Sequence, residues 1–161
     1  MKISPAAALW ANTFGLVILV LAIPFMGIVS DRIGRKPLLL GCCAFFVILP
    51  FPLFKYLLAS GGSFATLLYV QILFAIAISM FSGPGPAAIA EMFPTRTRST
   101  WMTTGYALAV AIFGGFAPLI SVWLITRFEE PTAPIFYLMA AAIVSTLVIF
   151  GLRETAHEEL G

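Results

Sequence analysis

Charged residues are scarce in this sequence, and their scarcity excludes an ordinary soluble domain. Only 10% of the 161 residues are charged, 61% are hydrophobic, and the mean hydropathy is +1.05. A soluble domain has about 25% charged residues and is roughly half apolar. The net charge is +2, and the basic residues form short clusters between apolar runs. A nucleic-acid-binding patch is therefore not predicted, whereas this distribution is typical of loops between membrane spans.

Cysteine and histidine are also rare, which argues against several kinds of site. Cys42 and Cys43 are adjacent inside an apolar run, so they predict two small buried side chains and no disulfide framework. The single histidine, His157, lies in the charged segment "RETAHEEL", where we expect it to be solvated. The sequence shows no Ser/His/Asp set, metal-ligand cluster or phosphate-binding glycine loop. We therefore expect no enzyme, no cofactor and no metal site.

Long apolar runs dominate what is present. A helix needs about 20 residues to cross the hydrocarbon core of a membrane. The runs predict an all-α integral membrane protein in which residues 1–161 form one transmembrane bundle. Ser4 and Pro5 suit the cap and the first turn of the first helix. The five predicted spans cover about residues 5–29, 37–58, 64–92, 100–126 and 134–152.

Lysine and arginine predict the orientation of these spans, because loops rich in them stay in the cytoplasm. The loops at one end of the spans are rich in basic residues: Arg32, Arg35, Lys36, Arg96, Arg98 and Arg153. The opposite loops hold only Lys2 and Arg127. The N-terminus is thus expected outside and the C-terminus in the cytoplasm. Lys55 falls near the outer headgroups, where it either snorkels to the interface or attracts an anionic substrate.

Two segments on the predicted cytoplasmic side concentrate the charge. The first reads "GIVSDRIGRK" and is interpreted as a tight loop, and the second reads "EMFPTRTR". Asp31 is placed to cap the N-terminus of the fourth helix, and Arg32 or Arg35 to reach Glu91. Either these charges form a latch that breaks when helices move, or they serve topology alone. The candidate gating residues are Gly27, Asp31, Arg32, Gly34, Arg35, Lys36, Glu91, Pro94 and Arg98.

Glycine and proline interrupt the third and fourth spans, in "SGPGPAA" and "GGFAP". Each proline removes a backbone hydrogen bond and can kink its helix. The interruptions either mark moving, cavity-lining helices or serve static packing. The candidate hinge residues are Gly83, Pro84, Gly85, Pro86, Gly114, Gly115 and Pro118.

Polar side chains inside the spans are the candidates for a substrate cavity: Asn12, Gln71, Ser79 and Tyr106. Each either contacts a substrate or hydrogen-bonds a neighbouring helix. No acidic residue lies in the middle of any predicted span. Proton coupling therefore cannot be assigned to a residue of this sequence.

At the charged segments the sequence resembles a known family. The segment from Gly27 to Lys36 fits the pattern G-x-x-x-D-R-x-G-R-K, and that from Glu91 to Arg98 fits E-x-x-P-x-x-x-R. Both are signatures of the major facilitator superfamily of transporters. The stretch "AEMFPTRTRSTWMTTGYALAVAIFGGFAPLI" resembles its metabolite:proton symporter branch, which takes up small organic acids and zwitterionic osmolytes such as proline and betaine.

The resemblance implies both a fold and a function. The family has two six-helix halves that rock around a central path, and this chain is similar to helices eight to twelve, a partial C-terminal half. It implies a proton-coupled symporter of the bacterial inner membrane that works by alternating access. The implied partners are the lipid bilayer, a small-molecule substrate, protons and a separate N-terminal half. The alternative is a non-transporting five-helix assembly protein or an inactive truncated transporter.

Overall fold

The computed structural model describes residues 4–61, 63–91 and 98–151, which form helices without any strand. Four helices are long and apolar enough to span a membrane, and a bent pair makes a fifth span. The predicted all-α membrane class is thereby confirmed. The helices are α1 (Pro5–Ile33), α2 (Arg35–Ile48), α3 (Pro50–Ala59), α4 (Phe64–Ser82), α5 (Gly85–Glu91), α6 (Arg98–Ala109), α7 (Gly115–Phe128) and α8 (Ala133–Gly151), with a π-helical segment, Val110–Gly114, between α6 and α7.

Both ends of α1 follow from the local sequence. Ser4 caps the N-terminus, because its Oγ accepts a hydrogen bond of 3.2 Å from the Ala7 N–H. Gly34 ends the helix at φ 99° and ψ 159°, a region of backbone space that is essentially restricted to glycine. Asp31 and Arg32 therefore lie in the last turn of α1, and the interpretation of residues 27–36 as a loop was wrong: the turn is Gly34 alone.

The second predicted span is bent. α2 and α3 meet at Leu49 with an angle of 46°. Pro50 is the first residue of α3, and it lacks the N–H that would bond to the Phe46 carbonyl oxygen in a continuous helix. The predicted span over about residues 37–58 is thus made of two helices, and the bend between them was not predicted from the sequence. The signal was present in "LPFP", where Pro50 and Pro52 follow one another closely.

The third and fourth spans are interrupted where the glycines and prolines predict. α4 ends at Ser82 and α5 begins at Gly85, with Pro84 fully buried between them. In the fourth span the π-helical segment ends at Gly114, four residues before Pro118. Because Pro118 cannot donate to the Gly114 carbonyl oxygen, the helix widens locally instead of continuing its regular ladder.

Helix contacts run through the bundle in one sequence: α1 packs against α4, α4 against α2, α2 against α8, and α8 against α7. Leu39 and Cys43 of α2 are buried with Ile149 of α8. Leu53 and Leu57 of α3 are buried with Val70 of α4. These two clusters hold the second span between the third and the fifth.

The fourth span has the fewest contacts with the bundle. Among the described residues, α6 contacts only α5 and the π-helical segment, while α7 also contacts α8. None of the described side chains between Met102 and Phe128 is buried. This span presents an apolar surface on most of its sides, as a helix does when lipid or further protein surrounds it.

Candidate functional site

An ion pair joins the two charged segments that the sequence singled out. Arg35 is the first residue of α2, and Glu91 is the last residue of α5. The Arg35 Nη2 atom lies 2.7 Å from the Glu91 Oε1 atom, and the two side chains are 14% and 11% exposed. The expected approach of an arginine to Glu91 is therefore present, made by Arg35. A pair so far withdrawn from water is harder to separate than a surface pair.

Lys36 connects the same turn to the last helix. Its Nζ atom donates a hydrogen bond of 2.9 Å to the Phe150 carbonyl oxygen, near the C-terminal end of α8. The last carbonyl groups of a helix lack partners within the helix, and their partial negative charge favours a cation. The pair Arg35–Lys36 thus ties the start of α2 to the ends of both α5 and α8. Sequence reasoning gave Lys36 no partner, because backbone carbonyl acceptors leave no mark in a sequence.

Two glycines of the signature have different structural roles. Gly34 provides the positive φ that lets α2 begin directly after α1. Gly27 has open space at its own Cβ position, where an added atom would meet nothing within 4 Å, but its backbone is approached closely by Gly83 of the third span. A Cβ atom placed on Gly83 would lie 2.9 Å from the Gly27 nitrogen and 3.0 Å from the Ile23 carbonyl oxygen. The break between α4 and α5 is therefore pressed against the backbone of α1.

A buried hydroxyl lies one turn beyond this crossing. Ser30 is 2% exposed, and its Oγ has no hydrogen-bond partner among the described residues. A buried hydroxyl without a partner is costly. Ser30 therefore adds an energetic cost close to the crossing of α1 with the break between α4 and α5.

The expected cap of the fourth helix by Asp31 is not seen. Asp31 and Arg32 are exposed, and neither makes a hydrogen bond or ion pair with a described residue. α1 makes no contact with α6 in the described part of the chain. The physical reason is the extra turn of α1, which carries Asp31 on the helix rather than in a loop that can turn toward its neighbour. Pro94 and the side chain of Arg98 lie outside the described residues.

Two adjoining cavities separate the third span from the fourth. One has a volume of about 330 Å³ and is lined by Ser82, Pro86 and Tyr106 among others. The other, of about 490 Å³, extends along α6 to Phe113 and Gly114. Tyr106 lines both cavities and brings a phenolic hydroxyl to walls that are otherwise mostly apolar. The predicted hinge residues Pro86 and Gly114 thus border the same space.

The other predicted cavity residues lie elsewhere. Asn12 is exposed on α1. Gln71 of α4 packs against Gly15, where an added Cβ would lie 3.4 Å from the Gln71 Cβ. Ser79 is fully buried, and its hydroxyl donates to the Ile76 carbonyl oxygen at 2.7 Å. The structure therefore does not gather the four polar residues around one cavity, because Gln71 and Ser79 take part in helix packing.

Comparison with known proteins places these features in a family. The model of the Major Facilitator Superfamily matches residues 1–160. The ectoine/proline transporter ProP of Corynebacterium glutamicum is 30% identical over 145 residues, covering 90% of this chain and 28% of the relative. The citrate-proton symporter of Salmonella typhi is 33% identical over 121 residues, covering 75% and 28%. The proline/betaine transporter of Escherichia coli K12 is 30% identical over 138 residues, covering 85% and 27%.

The chain thus spans little more than a quarter of the length of these relatives. No solved structure matches it.

Proposed function

We propose, from the premise that the chain belongs to the Major Facilitator Superfamily, that it forms part of a secondary active transporter of the inner membrane. The observation that carries the proposal is the Arg35–Glu91 ion pair. It lies where the ends of α2 and α5 meet, and Lys36 adds the end of α8. A contact of this kind holds one end of a helical bundle closed, and its separation opens that end.

Such a contact supports alternating access by a simple energetic argument. When the free energies of two states of a transporter differ by only a few kcal/mol, the less stable state is still measurably populated. A partly buried ion pair changes this difference by an amount of similar size, since each charge loses a partner when the pair separates. Asp31 and Arg32, exposed in the last turn of α1, are then free to engage in another state. We propose that this end of the bundle faces the cytoplasm, because its segments carry most of the lysine and arginine.

The proposed substrate is a small solute that carries a carboxylate. Relatives are named as transporters of ectoine and proline, of proline and betaine, and of citrate with protons. A carboxylate is the group common to these solutes. Of the chain's own residues, we propose Tyr106 to bind it, because Tyr106 lines both cavities between the third and fourth spans and its phenolic hydroxyl can donate a hydrogen bond to a carboxylate.

Proton coupling is proposed from the relatives alone. The acidic residues in the described part of the chain lie at helix ends or in the turn before α8: Asp31, Glu91, Glu129 and Glu130. The helices of the N-terminal half that we propose as the partner of this bundle would then carry the coupling residue.

The exposed fourth span offers a surface for that partner, because none of its described side chains is buried. The same exposure favours the second candidate, a membrane assembly protein that binds other helices and transports nothing.

Uptake measurements distinguish the two candidates. The protein that contains this chain is reconstituted into vesicles, and entry of radiolabelled proline, betaine and citrate is followed with and without an inward proton gradient. A transporter accumulates at least one solute faster with the gradient, and Tyr106→Phe lowers its apparent affinity. Helical circular dichroism checks that the reconstituted protein is folded. If the folded protein binds helical partners but takes up none of the solutes, the result would support the assembly protein instead.

A further inference from the structure

A third cavity lies at the opposite end of the bundle from the Arg35–Glu91 pair. It has a volume of about 650 Å³, within the range of ligand sites. It is formed where α3, α7 and the start of α8 meet, together with the turn that joins α7 to α8. Its lining residues are Phe51, Lys55, Leu124, Phe128, Glu130, Thr132, Ala133 and Phe136.

The cavity opens away from the centre of the bundle. Leu53 and Leu57 of α3 are buried against Val70 of α4. Phe51 and Lys55 lie on the opposite side of α3, because two residues correspond to about 200° of rotation at about 100° per residue. Lys55 is four residues from the end of α3, so it lies about 6 Å from that end at 1.5 Å per residue. With the end of α3 at the membrane surface, this depth is where lipid headgroups meet the hydrocarbon core.

A positive and a negative side chain line this cavity together. The Lys55 Nζ atom lies 4.6 Å from the centre of the Phe51 ring, which holds the ammonium group at the cavity wall. Glu130 is held by its turn: its carbonyl oxygen accepts from the Ala133 N–H at 3.1 Å, and its Oε2 accepts from the Thr132 hydroxyl at 3.4 Å. In the described part of the chain, Lys55 and Glu130 form no ion pair with each other. A ligand with one charge of each sign can therefore bind between them.

The remaining wall is aromatic and apolar. The rings of Phe51 and Phe136 are 5.9 Å apart, and Phe128 and Leu124 of α7 complete the surface. Phe128 and Phe136 are both more than half exposed, so this surface needs a cover that is itself apolar. A molecule that is charged at one end and apolar along the rest can place its charges beside Lys55 and Glu130 and its apolar part against the phenylalanine rings.

We infer that this cavity binds a membrane phospholipid whose headgroup carries a primary ammonium group, as in phosphatidylethanolamine. The lipid phosphate pairs with Lys55, the ammonium group donates hydrogen bonds to the Glu130 carboxylate, and an acyl chain lies on the phenylalanine rings. An anionic lipid such as phosphatidylglycerol satisfies Lys55 but leaves Glu130 without a cation. Phosphatidylcholine carries the same charges, but its quaternary ammonium has no N–H to donate to Glu130.

Lipid titration with matched variants tests this inference. Purified protein containing the chain is titrated in detergent with dioleoyl phosphatidylethanolamine, phosphatidylcholine or phosphatidylglycerol, and bound lipids are counted by native mass spectrometry. Lys55→Gln should weaken binding of all three lipids by about threefold, in line with an exposed charge pair. Glu130→Gln should weaken phosphatidylethanolamine by about threefold and leave phosphatidylglycerol unchanged or tighter.

The chain supplies a control for each charge. Glu129→Gln removes the same negative charge one residue away, and Arg127→Gln removes a positive charge near this end of the bundle. Neither residue lines the cavity, so neither variant should change lipid binding. Helical circular dichroism of each variant shows that the fold is kept. Equal behaviour of Glu130→Gln and Glu129→Gln, or tighter binding of phosphatidylglycerol than of phosphatidylethanolamine by the unchanged protein, would overturn the inference.

Discussion

The interruptions of the third and fourth spans look alike in the sequence, but they have different surroundings in the structure. Gly83, at the break between α4 and α5, lies against the backbone of α1. Gly115 directly follows the π-helical segment, and a Cβ atom added there would meet nothing within 4 Å. The first interruption therefore allows close packing, whereas the second lies in a span with few contacts. Similar glycine and proline content in a membrane helix thus indicates a break without indicating whether the break is held by a neighbour.

The largest effect is expected from Gly83→Ala. The added Cβ would lie 2.9 Å from the Gly27 nitrogen and 3.0 Å from the Ile23 carbonyl oxygen, and these backbone atoms cannot turn aside as a side chain can. We expect the free energy of unfolding to fall by about 3 kcal/mol, at the upper end of the usual cost of overpacking. Denaturant unfolding in detergent, followed by helical circular dichroism, measures it. An unchanged unfolding curve would show that the crossing of α1 and α4 is loose.

The next largest effect is expected from Gly34→Ala. Gly34 adopts φ 99° and ψ 159°, where any other residue is strained. We expect a loss of about 2 kcal/mol in the same measurement, because α2 can no longer start directly after α1 without strain. Gly61→Asn is the matched control: Gly61 has φ 65° and open space around it, a conformation that asparagine tolerates. A control that loses as much stability as Gly34→Ala would show that the turn at Gly34 has no special role.

Glu91→Gln tests the charged part of the same end of the bundle. The substitution keeps the shape of the side chain and removes the negative charge 2.7 Å from Arg35. We expect a loss of about 1.5 kcal/mol, at the lower end of the worth of a hydrogen bond to a charged group, because the glutamine oxygen can still accept a hydrogen bond from Arg35. A double-mutant cycle with Arg35→Gln isolates the pair, since only coupled residues give non-additive effects. If the losses of the two single variants add up to that of the double variant, Arg35 and Glu91 are not coupled, and the pair does not form the proposed latch.

The sequence predicts spans better than it predicts which faces of them meet. Long apolar runs mark the helices, and glycine and proline mark the breaks after Ser82 and before Pro118. Opposite charges at the same depth are enough to predict that an arginine approaches Glu91. The end of α1 at Gly34 and the bend at Pro50 have local signals in the sequence. The packing of Ser79 and the absence of a partner for Asp31 among the described residues depend instead on how helices rotate against their neighbours. That rotation depends on how side chains fit together across the whole bundle, and this fit cannot be read from the pattern of one sequence.

The smallest effect on stability is expected from Gly115→Ala, and it tests the other half of the comparison. Gly115 has helical angles, φ −64° and ψ −41°. Alanine is favoured over glycine inside a helix by about 1 kcal/mol, so the free energy of unfolding should stay the same or rise slightly. If the π-helical segment is a joint, the stiffer residue should slow solute uptake by the reconstituted protein at unchanged stability. Gly83→Ala should instead lower stability together with uptake. A loss of stability from Gly115→Ala as large as that from Gly83→Ala would mean that the fourth span is packed as tightly as the third, and that its Pro118 interruption serves packing rather than movement.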